Sequence, residues 1–489
     1  MQIPHHPTTS LPAFAHLSNI RLNGLSLHTT STAGTGLQFT SRDHDASRPL
    51  LTVGRDLVVC AATVEEYAKS DPHLAEVLRA VGEFAMTPRG AIMLFLVVTW
   101  GVAAGLGVGQ RTGWCEYVKF LPSHVSVPTT WTDAERKLLE GTSLQMAVKA
   151  KLQTLSQEFE HLQSSTSHIK WCADLWWADQ TLTLADWTHL DSLFRSRVLQ
   201  FPRFGISLAP LLDFANHADD ATAYYSIDSN RDVVLLLAQG ASKSKPQLRD
   251  GEEVTINYGI EKSAAELVFS YGFLPRSRTA ALWLALDLKC PPDDPLAPAK
   301  EAVFRSTPIL RLIDLGAQIM WTGPFVWLMC INEEDGLSFR VLQATDGTRQ
   351  LKVVWDGEEM DDVGRLEGML EESGLWEVYQ LRALMLVQER VRVQLGELVR
   401  VGGELEGEGG GEGGGPREVA ERLRVLERAL MEKIVVLLED QKEKLLETEV
   451  VREYLRRAGG DSSEEGRIEV EVGGNKIDDD NDDDDDDLS

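Results

Sequence analysis

The sequence predicts an α+β fold in which a helical block interrupts a region of short strands, followed by a helical C-terminal region. Three observations predict it. Residues 20–65 carry short apolar runs separated by Gly and polar turns. Helical spacing replaces them from about 64 to 193. Strand character then returns between about 206 and 258.

In the first region IRLNGLSLHTT, GTGLQFTS and PLLTVGRDLVVCAATV read as strands. In the helical block, Leu74, Val77, Leu78 and Val81 form one stripe. The stretch WTDAERKLLEGTSLQMAVKAKLQTLSQEFEHL opens at Thr132, which with Glu135 fits a capping box. Residues 91–109, AIMLFLVVTWGVAAGLGVG, are apolar over about the length that spans a bilayer. Their second half is mostly Gly and small residues, and Arg89 and Arg111 give no charge asymmetry, so a buried helix with a Gly-rich end is the favoured reading. In the returning β region, YYSI and DVVLLLA flank the turn-competent Asp228, Ser229, Asn230 and Arg231, a hairpin signal. Asp250 and Gly251 launch EEVTINYG, with alternation at Val254, Ile256 and Tyr258. Ser263 and Glu266 form a second capping box ahead of a short helix, which should run to Tyr271 and stop at Gly272.

The domain organisation expected from this reading is an extension at 1–19 and a first domain at 20–275 with its helical insertion at about 64–193. A helical region follows at 276–458, with long helices near 375–401 and 416–457 separated by a Gly-rich linker at about 402–416. Residues 459–489 read as a disordered acidic tail, too poor in apolar residues to join a core.

Composition bounds the function. A hydrophobic fraction of 43% over 489 residues is enough for more than one core. The net charge of -28 argues against direct binding to nucleic acid, whose phosphates it would repel, and favours basic protein partners. Cys60, Cys115, Cys172, Cys290 and Cys330 are scattered, with no CxxC pair and no His at zinc-finger spacing, so no metal is expected and the thiols read as core residues. The start MQIPHHPTTSLPAF lacks a basic n-region and a continuous apolar h-region, which points to the cytosol or nucleus.

Three clusters carry chemistry by their order and spacing: GTGL at 34–37, LAPLLDFANHADD at 208–220, and GEEVTINYGIEKSAAELVFSYGF at 251–273. Taken singly each has a bland reading as a turn, a satisfied loop or core aromatics. Together, and with WCEYVKFLP at 114–122 inside the helical block, they resemble the SET-domain methyltransferases, in particular the branch typified by the Rubisco large-subunit methyltransferase. The resemblance covers about residues 20–275, and the C-terminal region is only loosely similar to the family's helical substrate-binding domain.

The resemblance implies S-adenosylmethionine as cofactor and a protein lysine as acceptor. Gly34, Thr35 and Gly36 match the turn whose backbone lies along the cofactor, and Asn216 and His217 match the pair that binds its methionine part and adenine. Arg197, in RSRV, is similar to the arginine that helps hold the cofactor carboxylate. Tyr258 matches the tyrosine of the reaction centre, and Tyr271 and Phe273 match aromatic walls of the lysine channel. Two departures are Ala33, where many relatives carry Glu, and the unusual ASRPLL stretch at 46–51. Within the branch the acceptor ranges from Rubisco to ribosomal and elongation-factor lysines, histones and, in one case, histidine. The missing zinc clusters favour a non-histone target such as a ribosomal or translation-associated protein.

The residue types suit the chemistry. Methyl transfer from a sulfonium to an amine is an in-line displacement that needs positioning, desolvation and a neutral nucleophile rather than a strong acid. A lysine of ordinary pKa costs about 4.6 kcal/mol to neutralise at pH 7, and an apolar, aromatic channel lowers that cost. Two rivals stand beside this reading: a metal-binding hydrolase using Asp213, His217, Asp219 and Asp220, and a SET-fold interaction protein that has lost catalysis.

Overall fold

The structure, a computed structural model, describes residues 1–30, 34–238, 248–343, 349–360, 362–407 and 415–460. Its first half contains ten short strands: β1 (Arg21–Leu22), β2 (Leu25–Thr30), β3 (Gly34–Phe39), β4 (Leu51–Val53), β5 (Leu199–Phe201), β6 (Gly205–Ser207), β7 (Asn216–His217), β8 (Ala223–Ile227), β9 (Val233–Leu237) and β10 (Glu253–Ile256). They form sheets of order β1-β4-β9-β8 and β2-β3-β10-β7, with β5 and β6 as a separate hairpin. The expected hairpin is β8 and β9, and Arg231 takes its turn at φ 67°.

The β10 strand organises the site. It pairs antiparallel with β3, Val254 opposite Leu37, and parallel with β7, Thr255 opposite Asn216 and Ile256 opposite His217. Its burial explains its central place, since Val254 and Ile256 are both buried and a strand buried on its flanks fixes its register. Segments far apart in sequence are thereby drawn to one edge.

The helical block runs from Ala61–Ser70 to Leu184–Arg197, a little wider than the expected 64–193. Its early start has a local cause: Cys60 N–H donates to Thr63 Oγ1 at 2.8 Å, a cap that ends the apolar text read as strand. The predicted stripe holds in the helix Pro72–Val81, with Leu74, Val77 and Val81 buried. The Thr132 and Glu135 capping box is present, but its helix is only Asp133–Lys137. Gly141, at φ 77° and with its Cβ position 3.1 Å from the Glu397 carbonyl oxygen, separates it from Leu144–Thr166.

The long apolar segment is the helix Pro88–Ala103, packed in the first hydrophobic core with Ile92, Met93, Leu94, Val97 and Trp100 buried. No helix among the described residues is long and apolar enough to cross a membrane. At its start Arg89 bonds Glu158 through both terminal nitrogens and Asp191 through Nη2 at 2.6 Å, so the charge that precedes the apolar run is paired inside the protein.

Beyond Pro275 the expectation of a helix-rich region needs correction for its first part. Residues 283–360 contain β11 (Trp283–Asp287), β12 (Ile309–Asp314) and β13 (Ile319–Thr322) in one antiparallel sheet, and β14 (Leu337–Gln343), β15 (Arg349–Trp355) and β16 (Glu358–Met360) in another. Leu-rich and Ala-rich text such as ALWLALDL has helical propensity, and cross-strand pairing overrides it. The helices come after, at Leu366–Glu371, Trp376–Gly407, Pro416–Leu446 and Glu449–Gly460. Helix Trp376–Gly407 runs through the first glycines of the expected linker, and the rest of that linker, 408–414, lies outside the described residues, as do 461–489 of the expected tail. The two long helices bury Val387, Val391 and Leu398 against Leu423, Leu430 and Ile434 in a second core. That core is fastened to the helical block by Arg424, whose guanidinium bonds the carbonyls of Leu138, Glu140 and Leu398.

Candidate active site

Four ring systems meet at the C-terminal end of β10. Tyr258 follows the strand, two residues past its end, and Tyr271 and Phe273 follow the helix Ala264–Tyr271. That helix has the expected capping box, with Glu266 N–H on Ser263 Oγ at 3.1 Å and Ser263 N–H on Glu266 Oε2 at 2.9 Å. It stops at Gly272, φ 76°, where a Cβ would lie 1.8 Å from the carbonyl oxygen of Ser126. Gly272 is therefore required where the chain aims Tyr271 and Phe273. The Tyr258 and Tyr271 ring centroids are 4.5 Å apart, and His217 lies 5.2 Å from Tyr258 and 6.0 Å from Phe273. Tyr258, Tyr271 and Phe273 are each half-buried, unlike the core aromatics Trp114 and Trp187.

The Tyr258 hydroxyl does not face solvent. It donates to the carbonyl oxygen of Ala215 at 2.9 Å, and burial pushes its pKa well above the ordinary phenol range, so it stays protonated. Burial likewise pushes Tyr271 up to about 12. His217 Nδ1 accepts from Tyr258 N–H at 3.2 Å, which in a neutral ring places the proton on Nε2. That Nε2 is buried without a hydrogen-bond partner, although Asp219 Oδ1 lies 3.4 Å away outside bonding geometry. Burial lowers the His217 pKa, the Asp219 charge opposing it, so the ring is neutral at pH 7. Asp219 is itself held by Arg278 at 2.9 Å and Ser277 at 2.8 Å.

Around the β3, β7 and β10 edge, Asn216 Nδ2 donates to Glu253 Oε1 at 2.6 Å. A Cβ at Gly36 would stand 2.6 Å from both of those atoms, so any larger residue there would displace the Asn216 and Glu253 side-chain ends. Gly34, at φ 71°, begins β3, and the Thr35 hydroxyl bonds that of Thr29 at 2.9 Å. The structure brings His217, Tyr258, Tyr271 and Phe273 together and sets Gly36 beside Asn216, while Gly34 and Thr35 open β3, the strand that pairs with β10. Ala33 lies outside the described residues, and the 46–51 stretch leads into β4, away from β10.

Arg197 stands one layer behind. Its Nη1 bonds the Asp213 carboxylate and carbonyl, each at 3.0 Å, and its guanidinium lies 5.2 Å over the Phe214 ring. Asp213 also accepts from the Tyr117 hydroxyl, and Tyr117 in turn accepts from Leu211 N–H at 3.0 Å. Burial pushes the Asp213 carboxyl up while Arg197 pulls it back. Leu211, fully buried, takes φ 67°, a conformation an L residue keeps only when its surroundings impose it. The Asp213 carboxylate is bound by Arg197 and Tyr117, and among the described residues no group of three or more His, Cys, Asp or Glu is placed to hold a metal ion.

Sequence reasoning missed Glu253, Tyr117, Asp219 and Arg278 as supporting residues. Tyr117 and Asp213 lie inside the quoted motifs and were legible in principle, whereas Arg278 has no local signal and is recruited by contact alone. Two clefts of about 1260 and 880 Å³ lie in the C-terminal half, and neither includes any residue of this group.

A family model described as Cytochrome c lysine N-methyltransferase 1 matches residues 204–288, which hold β7, β10, Tyr258, Tyr271 and Phe273. The chain is 29% identical over 428 residues to SET domain-containing protein 8 of Schizosaccharomyces pombe, covering 86% of this chain and 92% of that protein. It is 25% identical over 229 residues to the chloroplastic ribulose-1,5 bisphosphate carboxylase/oxygenase large subunit N-methyltransferase of Pisum sativum, 42% of this chain and 46% of the other. The fold matches a solved structure of Rubisco LSMT bound to AdoMet with TM-score 0.64 at 18% identity, over 94% of this chain and 98% of that one. A structure of the LSMT SET domain bound to lysine and AdoHcy matches with TM-score 0.63 at 18% identity, over 94% and 97%.

Proposed function

We propose that the chain is a SET-domain protein of the branch typified by the Rubisco large-subunit methyltransferases, acting as an S-adenosylmethionine-dependent protein-lysine N-methyltransferase with Tyr258 at the reacting centre. The observation that carries the reading is the meeting of Tyr258, Tyr271 and Phe273 with the β3 and β7 edge, where Gly36 leaves backbone bare beside Asn216.

The residues present fit the cofactor. His217 Nε2 is a buried donor that makes no hydrogen bond of good geometry, its nearest acceptor being Asp219 Oδ1 at 3.4 Å, so it is able to donate to a ligand. Gly34, Thr35 and Gly36 would line the ligand with backbone, Asn216 and His217 would hold its polar groups, and Arg197 would act through Asp213 by fixing the loop that carries them. When bound, S-adenosylmethionine supplies an electrophilic methyl group on a sulfonium.

The chain's own residues do the rest. The aromatic faces of Tyr258, Tyr271 and Phe273 accept the target side chain and strip its water, which disfavours the ammonium form. The target ammonium would give its proton to solvent water, and the neutral amine held among these rings would be the nucleophile that a bound methyl donor requires. The Tyr258 O–H is committed to Ala215, so its oxygen offers only lone pairs to the site and orients the incoming amine by accepting an N–H.

The target is a lysine on a non-histone, basic protein of the cytosol or nucleus, such as a ribosomal or translation-associated protein. The chain's charge of -28 supports a basic partner. Incubating the pure protein with isotopically labelled S-adenosylmethionine and lysate from cells that lack it, followed by mass spectrometry, tests this. Label on a lysine of one or a few basic proteins is expected. Label on histidine, or none despite cofactor binding, refutes the assignment.

A further inference from the structure

The two clefts of the C-terminal half are neighbours of opposite sign. The larger is lined by Glu334, Asp335, Asp356, Glu358, Glu359 and Glu372, with Arg365 as the one cation of its lining. The smaller, which shares Met360, Asp362 and Gly364 with it, is lined by Arg305, Arg311, Arg349 and Lys352. On a chain of net charge -28, a convergence of four cations reverses the prevailing surface charge. Lys352 is paired with Glu359 at 3.4 Å, and Asp362, which also caps Gly364 N–H at 2.9 Å, sets one negative charge against three arginines. The arginines therefore set the field. Arg305, Arg311 and Arg349 are exposed, Arg311 lies 5.2 Å over the Trp283 ring, and neither the Arg305 nor the Arg349 side chain has a hydrogen bond or ion pair among the described residues.

We propose that this basic cleft is a binding site for the chain's own Asp-rich C-terminal segment, 478–487. That segment carries nine aspartates, interrupted only by Asn481. Its charge matches the cleft of arginines and is repelled by the adjacent acidic one, so one sequence discriminates between two neighbouring surfaces. The helix Glu449–Gly460, from which the segment continues, borders the acidic cleft that adjoins the basic one: Tyr454 accepts from Arg382 at 2.7 Å, and Arg382 bonds Asp335 at 2.6 Å on the acidic cleft's wall. The seventeen residues 461–477 between that helix and the segment span up to roughly 55–60 Å when extended. Covalent attachment gives the segment an effective concentration on the order of 1 mM, so even a weak electrostatic contact is populated.

Arginine modification by phenylglyoxal, mapped by mass spectrometry on the full-length protein, reads the occupancy directly. The comparison is with a full-length variant in which the nine aspartates become asparagine, from Asp478→Asn through Asp487→Asn. With a contact of about 0.1 mM, Arg305 and Arg349 should react roughly tenfold more slowly in the native chain at low salt. The gap should close near 1 M salt, where the Debye length is about 3 Å, while exposed Arg203 in the β5 to β6 turn reacts alike in both chains. A synthetic DDDNDDDDDD peptide should bind the asparagine variant and lose that binding in Arg305→Glu with Arg349→Glu. Equal reactivity of Arg305 and Arg349 in the two chains overturns the proposal. So does equal peptide affinity for the native chain and the asparagine variant, because the cleft would then be open to an acidic partner instead.

Discussion

The edge where β3, β7 and β10 meet and the paired clefts of the C-terminal half handle polar groups in opposite ways. At the strand edge, Asn216, Tyr258 and Asp213 spend their hydrogen bonds on partners inside the protein, and aromatic rings exclude water. In the clefts, charged side chains face solvent and define fields of opposite sign. Atoms held by buried backbone respond to the loss of a single group, whereas a solvated field responds to salt and to net charge. The first region is built for chemistry on one atom, and the second for attraction between surfaces.

The largest expected effect is at the strand edge. Tyr258→Phe keeps the ring and its contact with Tyr271 but removes the oxygen that orients the amine, so single-turnover methyl transfer should fall by about 10²–10⁴. The Ala215 carbonyl loses its donor, which costs roughly 1–3 kcal/mol of stability. Transfer at the parental rate by a folded, cofactor-binding variant would remove Tyr258 from the mechanism.

Next comes Arg197→Met, which strands the buried Asp213 carboxylate and should cost about 3 kcal/mol in denaturant unfolding. Its purpose is to separate two roles. If Arg197 served only to bind the cofactor carboxylate, the variant would keep parental stability and lose affinity alone.

Two buried groups outside the site sharpen the comparison through pH. Burial holds His189 down at about 4, so its stabilising contribution is present above pH 6.5 and is lost as pH falls toward 4. Burial pushes Glu427 up to about 7 while Ser143 donates to both its oxygens, so its contribution is present below pH 4.5 and is lost as pH rises through 7. Glu427 joins the helical block to the C-terminal helices, and ionising it between pH 5 and 8 should weaken that junction by about 2 kcal/mol. Glu427→Gln should abolish this loss in unfolding curves measured at both pH values. An unchanged pH slope in that variant would show that the junction does not depend on the Glu427 proton.

The smallest effect is expected at Asn216→Ala, where calorimetry should show S-adenosylmethionine binding weaker by about 1 kcal/mol with the fold intact. Parental affinity would leave Asn216 as a brace for Glu253 only.

Much of the first half was legible because its signals are local. The Ser263 and Glu266 box, the stop at Gly272 and the hairpin around Arg231 each depend on a few adjacent residues, and all three appear as read. The strands of 283–360 were not legible. Their text lacks clean alternation, and β14 shows one buried residue, Leu337, followed by half-buried and exposed ones. The break at Gly141 was hidden as well, since a glycine inside helical text reveals itself only when the Glu397 backbone is seen to press on it.

The order and spacing of the three motifs by themselves determined the family resemblance, the candidate residues and the helical nature of the inserted block, because capping, turn chemistry and periodicity act over a few residues. Only the tertiary structure decided what those residues do for one another. It turned Arg197 toward Asp213, aimed the Tyr258 hydroxyl at Ala215, left His217 Nε2 without a partner, and set an acidic cleft beside a basic one. The physical reason is that the partner of a buried polar atom is chosen by which segments share a strand register or a core, and β10 brings together residues more than two hundred positions apart.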